Sequence, residues 1–400
     1  MVEFMDGIKI NHNIIKHFRE KFGFSIDDIV RFAKIKDIKE KKNNHSISAI
    51  NYMMGIEDGT INPTKNVLKN LAAFYHIPFL TFFLSEPPVF DDNLIDFRTF
   101  NSHPTTIDNP IIFAIKRKVK LLQAELSSIE KELSLPKKDF VSSINVDISP
   151  EDFVHIVREK LDFSLDQQQK IKKEDNLFKI IRNKIENIGI FVIQIKNLGS
   201  YHTDVKTSEF RGISISDEFA PMIVVNPNDN LPAQLFSLLH ELAHIFLGVT
   251  SISNINTSDA INDKERICNT FAAEFLLPKQ KISGIRKLDN IDDIINTASN
   301  IASQYHVSLM VVIRRLYDSD KIKKELYDQA NGIIISSISQ NKKDKAKTDV
   351  KVSRNVLDKA YLGKKTIQTI NLAIEQQLIL PSTAAAILGI NVIRLYKAVL

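Results

Sequence analysis

Cysteine occurs once in the 400 residues, at position 268. A single thiol excludes an internal disulfide and any fold held together by such bridges, and it suits a reducing compartment. Long apolar runs are also missing. No stretch approaches the roughly 18 consecutive apolar residues that a membrane-spanning helix needs, and no apolar stretch follows a basic start. The expectation is a cytoplasmic protein with no membrane association. A repeat of fixed period is absent, which argues against a solenoid. Neither sign of charge dominates: 53 Lys and Arg against 48 Asp and Glu leave +5. That excess is too small to demand a nucleic-acid partner, yet it is compatible with one. The length fits two to three domains with a sizeable core.

Residues 240–244 read His-Glu-Leu-Ala-His. Leu235, Phe236, Leu238, Leu239, Leu242, Ile245, Phe246 and Leu247 surround them, apolar nearly all round, as in a buried helix. Pro232 suits the first turn of that helix and Gly248 its stop. Histidines four apart share one helix face, so His240 and His244 can meet at one metal ion. Glu241 sits about 100° round the helix, beside the metal, where it can take a proton from a bound water. Imidazoles and a carboxylate inside a buried helix are costly unless something binds them.

A catalytic zinc generally has three protein ligands and an open position. Residues 262–278 suggest a second helix that ends before Pro278, with Glu265 and Asn269 four apart on one face. Glu265 is assigned as the third ligand. Asn269 is placed to hydrogen-bond the remaining ring nitrogen of a ligand histidine. Glu274 is the rival ligand. Nine residues from Glu265, it points to roughly the opposite side of the helix and reads otherwise as a surface or rim carboxylate. Cys268 reads as a small buried apolar residue beside Ile267 and Phe271, with a redox sensor near the zinc as the alternative.

Taken in order, Phe210-Arg-Gly-Ile-Ser-Ile-Ser-Asp, Ala220-Pro-Met-Ile-Val-Val-Asn, the segment from Gln234 to His244 and the segment from Glu265 to Pro278 resemble the ImmA/IrrE family of zinc metallopeptidases. The spacing is also similar to the thermolysin-type arrangement. The resemblance implies Zn2+ held by His240, His244 and Glu265, Glu241 as general base, and Asn269 in support. It further implies an α+β, mostly helical, zincin-like domain with a short twisted sheet beside the active-site helix. Its members act on regulatory partners, often a repressor encoded nearby. Read independently, Ile188 to Ile195, Gly212 to Ile215 and Met222 to Val225 are short β-branched runs bounded by turn residues. A peptide could add to an exposed edge of that sheet. Tyr201 and His202 are weak candidates for stabilising an oxyanion.

Before residue 88 the chain shows short helical patterns: a cap at Ser25-Ile-Asp-Asp, then Ser46 to Met54, Gly55 to Gly59, and a Pro63-Thr64 start to a helix through Phe74. With Ile56-Glu-Asp-Gly-Thr-Ile-Asn-Pro-Thr, this part resembles the Xre-type helix-turn-helix. It departs from that pattern in a Lys-rich insertion, Lys34 to Asn44, and in a recognition helix without Lys or Arg. Lys34, Lys36, Lys39, Lys41 and Lys42 are candidates for phosphate contacts, and His45 and Asn51 for base contacts. Ile77 to Leu84 reads as a buried segment ahead of a linker. A long helix is expected at 111–133, more helices across 150–187 with breaks at Ser149-Pro150 and Asp166, and two more around Tyr305-His306-Val307-Ser308. Residues 341–354 read as a polar linker, and about three helices follow from Val356.

The division expected is 1–88, an all-α Xre-like domain; 89–330, the metallopeptidase; and 331–400, a linker with a small helical region. The function expected is regulatory cleavage of a repressor or toxin encoded nearby. The alternative is a DNA-binding repressor or antitoxin that holds a toxin or operator DNA without proteolysis.

Overall fold

The computed structural model describes residues 9–39, 46–88, 110–172, 176–198, 205–207, 210–248, 258–345 and 354–398. They form two compact units. One holds the described residues up to 88 with 110–119, the other those from 120 onward. The architecture is mostly helical with one small three-stranded sheet, an α+β arrangement. No described helix is long and apolar enough to cross a membrane.

In the first unit the order is α1 (His12–Lys21), α2 (Ile26–Phe32), β1 (Ile38–Lys39), β2 (Ser46–Ile47), α3 (Ala49–Glu57), α4 (Lys65–Phe74) and a 3-10 turn, Phe79–Phe83. Asn11, Ser25, Ser48 and Thr64 cap the four α-helices through their side-chain oxygens. Ser25 and Asp28 form the reciprocal cap expected from the sequence. Phe18, Phe22 and Tyr75 stack in the core with Ile14, Ile29, Met53 and Leu71. Three readings need correction. Ser46–Ile47 is a strand paired antiparallel with Ile38–Lys39 rather than the start of a helix. The patterns at 46–54 and 55–59 are one helix, Ala49–Glu57, which runs through Gly55, where a Cβ would lie 2.6 Å from Ile61 Cδ1, and the chain turns at Gly59. Within Ile77 to Leu84, Thr81 and Phe82 are buried, but Leu80 is 72% exposed.

The helix α5 (Pro110–Glu132) contributes residues to both units. The second unit continues with α6 (Pro150–Lys160), α7 (Leu165–Gln169), α8 (Leu177–Asn187), β3 (Phe191–Gln194), β4 (Gly212–Ile215), β5 (Met222–Val225), α9 (Leu231–Phe246) and α10 (Ser258–Leu276). After these come α11 (Gln280–Ser283), α12 (Ile291–Tyr305), α13 (Leu309–Asp318), α14 (Lys324–Lys345), α15 (Arg354–Leu362), α16 (Lys364–Glu375), α17 (Pro381–Leu388) and α18 (Val392–Ala398). The sheet order is β3-β5-β4. The central strand β5 runs parallel to β3 and antiparallel to β4, with Gly212 opposite Val225 and Ile215 opposite Met222. Apolar side chains from α6, α8, β3, β5, α9 and α10 make one core. His306, in the left-handed conformation, separates α12 from α13, so it serves the turn.

The C-terminal helices are anchored on this core. Both α15 and α16 pack against β3, which covers that edge of the sheet. Arg182 on α8 donates to Val192 O and Ala360 O. Fully buried Glu130 accepts from Lys138 at 2.9 Å, Lys365 at 2.8 Å and Thr369 at 3.1 Å. Two linker readings change. Residues 341–345 continue α14, while 346–353 lie outside the described residues. Four helices rather than three follow, because Gly363 (φ +80°) breaks the stripe between α15 and α16.

A Cβ at Gly363 would lie 2.1 Å from Glu186 Oε1 and 2.5 Å from Val192 O. Gly363→Val is expected to destabilise the second unit by roughly 3 kcal/mol or more, since both the left-handed backbone and the contact forbid a side chain. Gly284→Ala, with nothing within 4 Å of its Cβ, should stay within about 0.5 kcal/mol of wild type. Urea unfolding of the two variants checks the contrast.

Candidate metal centre

Helix α9 is set by its ends and its walls. Asn230 Oδ1 accepts from Ala233 N at 3.0 Å, Pro232 fills the first turn, and Gly248 (φ +64°) stops the helix as expected. Leu235, Leu238, Leu239, Leu242, Ile245 and Phe246 bury it. His240 and His244, one turn apart on a single face, bring their Nε2 atoms to 3.0 Å. Packed against α9, α10 delivers Glu265. Its Oε2 lies 3.2 Å from His240 Nε2 and its Oε1 3.0 Å from His244 Nε2. These are the three side chains able to hold a metal ion among the described residues.

The donor set fits a tetrahedral divalent ion. Ligands about 2.0–2.1 Å from a tetrahedral centre are about 3.3 Å apart, and the separations here are 3.0 to 3.2 Å. Charge fits too. Burial would raise the pKa of Glu265, but His240 and His244 outweigh it and hold the carboxyl far below its usual range. Burial pulls His244 down, yet Cys268 and Glu265 push it well above the ordinary imidazole value. The pocket therefore favours an anion facing positive charge, the complement a divalent cation supplies.

Glu241 is 4% exposed and is not part of this triangle. It faces β4, where Ser214 Oγ donates to its Oε2 at 2.7 Å. Asn269 shares the face of Glu265 but makes no hydrogen bond to either ring. Its Oδ1 is buried without a partner. Cys268 is fully buried, and burial pushes its thiol up in pKa, but His244 Nδ1, like Asn269 Oδ1, is buried without a hydrogen-bond partner. Glu274 lines the cavity beside Glu265 but is not a surface carboxylate. It is 4% exposed, ion-pairs with Arg315 and accepts from Lys279 N at 3.0 Å. A cavity of about 980 Å³ opens beside Glu265, lined among others by Phe236, Asn269, Thr270 and Arg315.

The remaining candidates lie elsewhere. Lys34, Lys36 and Asn51 are exposed in the first unit, and Lys39 lies in β1. Lys41, Lys42, His45, Tyr201 and His202 fall outside the described residues. The sequence reading missed the contacts of Glu241 with Gly212 and Ser214. The available signal was the alternation of the strand, which puts both residues on one face.

Residues 186–317 match the family model for the IrrE N-terminal-like domain, a peptidase family. No curated protein and no solved structure matches the chain. The matched segment includes the whole sheet, α9, α10 and the His240–His244–Glu265 triangle. It supports the ImmA/IrrE resemblance for this part of the chain.

His240→Ala, His244→Ala and Glu265→Ala are each expected to weaken zinc binding at least about 100-fold, since even groups behind the ligands are worth 10–100-fold. Glu274→Ala should keep zinc affinity while costing about 3 kcal/mol of stability, because it strands buried Arg315. Competition against a chromophoric chelator, alongside urea unfolding, separates the two carboxylates.

Proposed function

We propose that the chain is a zinc-dependent endopeptidase that cuts a regulatory protein, a repressor or other regulator encoded nearby. The observation that carries this is the convergence of His240, His244 and Glu265 with buried Glu241 alongside. A metal centre that only stabilises a fold has no use for such a base. His240, His244 and Glu265 would hold the zinc ion, which would supply Lewis acidity for activating water and a peptide carbonyl.

The protein's own residues do the rest. Glu241 takes the proton from the attacking water and passes it to the leaving amine. Its burial keeps bulk water from competing for that proton. The substrate lies extended along β4, adding to the sheet by backbone hydrogen bonds. Two observations support that edge. It is the edge strand packed on α9 beside Glu241, and no described strand pairs with its outer side, whereas β3 is covered by α15 and α16. The cavity next to Glu265 receives side chains flanking the scissile bond.

In the same reading the first unit, Xre-like in sequence, recruits the partner. The exposed side chains Ile50, Asn51 and Met54 of α3 include no cation, which supports protein docking over operator DNA, where phosphate contacts call for Lys and Arg.

Incubation of the purified chain with the neighbouring regulator is expected to give zinc-dependent fragments that a chelator abolishes. Glu241→Gln should retain zinc at wild-type stoichiometry and cut at least about 1000 times more slowly. A stoichiometric complex without fragments, or a Glu241→Gln protein that cuts at the wild-type rate, overturns the assignment.

A further inference from the structure

Alternate residues of a strand face the same way. On β4 and its continuation, Gly212, Ser214 and Ser216 therefore form one row, and α9 packs on this strand. Each member of the row meets the helix. Ser214 Oγ donates to Glu241 Oε2 at 2.7 Å, and Ser216 Oγ donates to His244 O at 3.3 Å. Gly212 offers no side chain, and the carboxylate of Glu241 lies against it. A Cβ there would be 2.7 Å from Oε1, 2.9 Å from Cγ and 3.1 Å from Cδ of Glu241. The glycine supplies room.

Ser214 is 2% exposed and Glu241 4%. A carboxylate removed from water to that degree needs a donor, and the strand provides one. A carboxylate with one oxygen bonded and its flank pressed on backbone is also fixed in rotation about its last torsion, which is otherwise broad. We propose that Ser214 is a positioning residue for Glu241, and that Gly212 completes the seat by leaving space for the carboxylate. This role in hydrolysis rests on the peptidase reading above; the seat itself does not. The bond ties the proton-accepting group to the strand along which the peptide lies, so both keep one frame.

The test uses the full chain and two independent readouts. In chelator-treated protein, Ser214→Ala is expected to lower Tm by about 3–6 °C, as loss of a hydrogen bond to a buried charge does. In a Glu241→Ala background the same change should lower it by less than about 1 °C. With zinc and the cleaved partner, Ser214→Ala should lower kcat about tenfold and leave KM and zinc stoichiometry unchanged. Ser214→Thr, which keeps the hydroxyl, should restore kcat to within about twofold. Gly212→Ala should also lower kcat with zinc retained. Equal Tm losses in the two backgrounds, or wild-type kcat in Ser214→Ala, overturn the proposal. A wild-type chain that binds zinc but cuts nothing overturns the peptidase reading instead, and the thermal cycle then decides alone whether Ser214 seats Glu241.

Discussion

Burial of α9 is the constraint from which the surrounding structure follows. His240, Glu241 and His244 are at most 4% exposed on a helix walled by leucine, isoleucine and phenylalanine. An uncompensated buried charge costs several kcal/mol, against a net stability of only about 5–15 kcal/mol for a whole domain. The unit cannot carry these three groups unmatched. Two neighbours supply what is missing. From α10 comes Glu265, whose carboxylate spans both imidazoles, and from β4 comes the hydroxyl of Ser214 for Glu241. A helix turn of 3.6 residues sends the two histidines one way and the glutamate another, so two separate elements are required, one on each side.

The sheet then has to stay where α9 meets it. It has three strands of four residues each, little on its own. The C-terminal helices reinforce it from the β3 side. Gly363 lets the chain pass over the Arg182–Glu186 pair, and Glu130 ties Lys138, just past α5, to Lys365 and Thr369 of α16. The two sheet edges thus differ in kind, one closed by α15 and α16 and the other adjoining Glu241.

What was legible in the sequence is what depends on near neighbours along the chain. The paired histidines, Glu265, the second and third strand runs, the Ser25 cap and the His306 turn are all fixed by local period or cap chemistry, and each lies where it was expected, while the first run shortens to Phe191–Gln194 because Ile188 caps α8 and Gly189 turns at φ +99°. Contacts made across the fold were not legible. Glu274 looked like a rim carboxylate because its partner Arg315 is 41 residues away. Asn269 looked like the support for a ligand histidine, and it shares the face of Glu265, but its Oδ1 and His244 Nδ1 are both buried without a hydrogen-bond partner. Position 55, inside a helix, has room only for glycine because Ile61 folds back onto the space a side chain would need. In each case the residue's own character was plain and its partner was not.

Two carboxylates of α10 show how far the partner decides the chemistry. Glu265 and Glu274 are the same residue type on the same helix, two and a half turns apart. Beside Glu274 is a guanidinium of fixed charge, and the result is a closed ion pair that also caps Lys279 N. Beside Glu265 are two imidazoles, each of which in its neutral form presents a ring-nitrogen lone pair. Only the second arrangement converges three electron donors on one point. The same logic extends to β4. Because one strand both seats Glu241 and offers the edge beside it, in the proposed reading the distance from base to peptide passes through a single rigid element. Where an ångström of misplacement can cost a hundredfold in rate, a frame of one strand holds that distance better than one assembled from several.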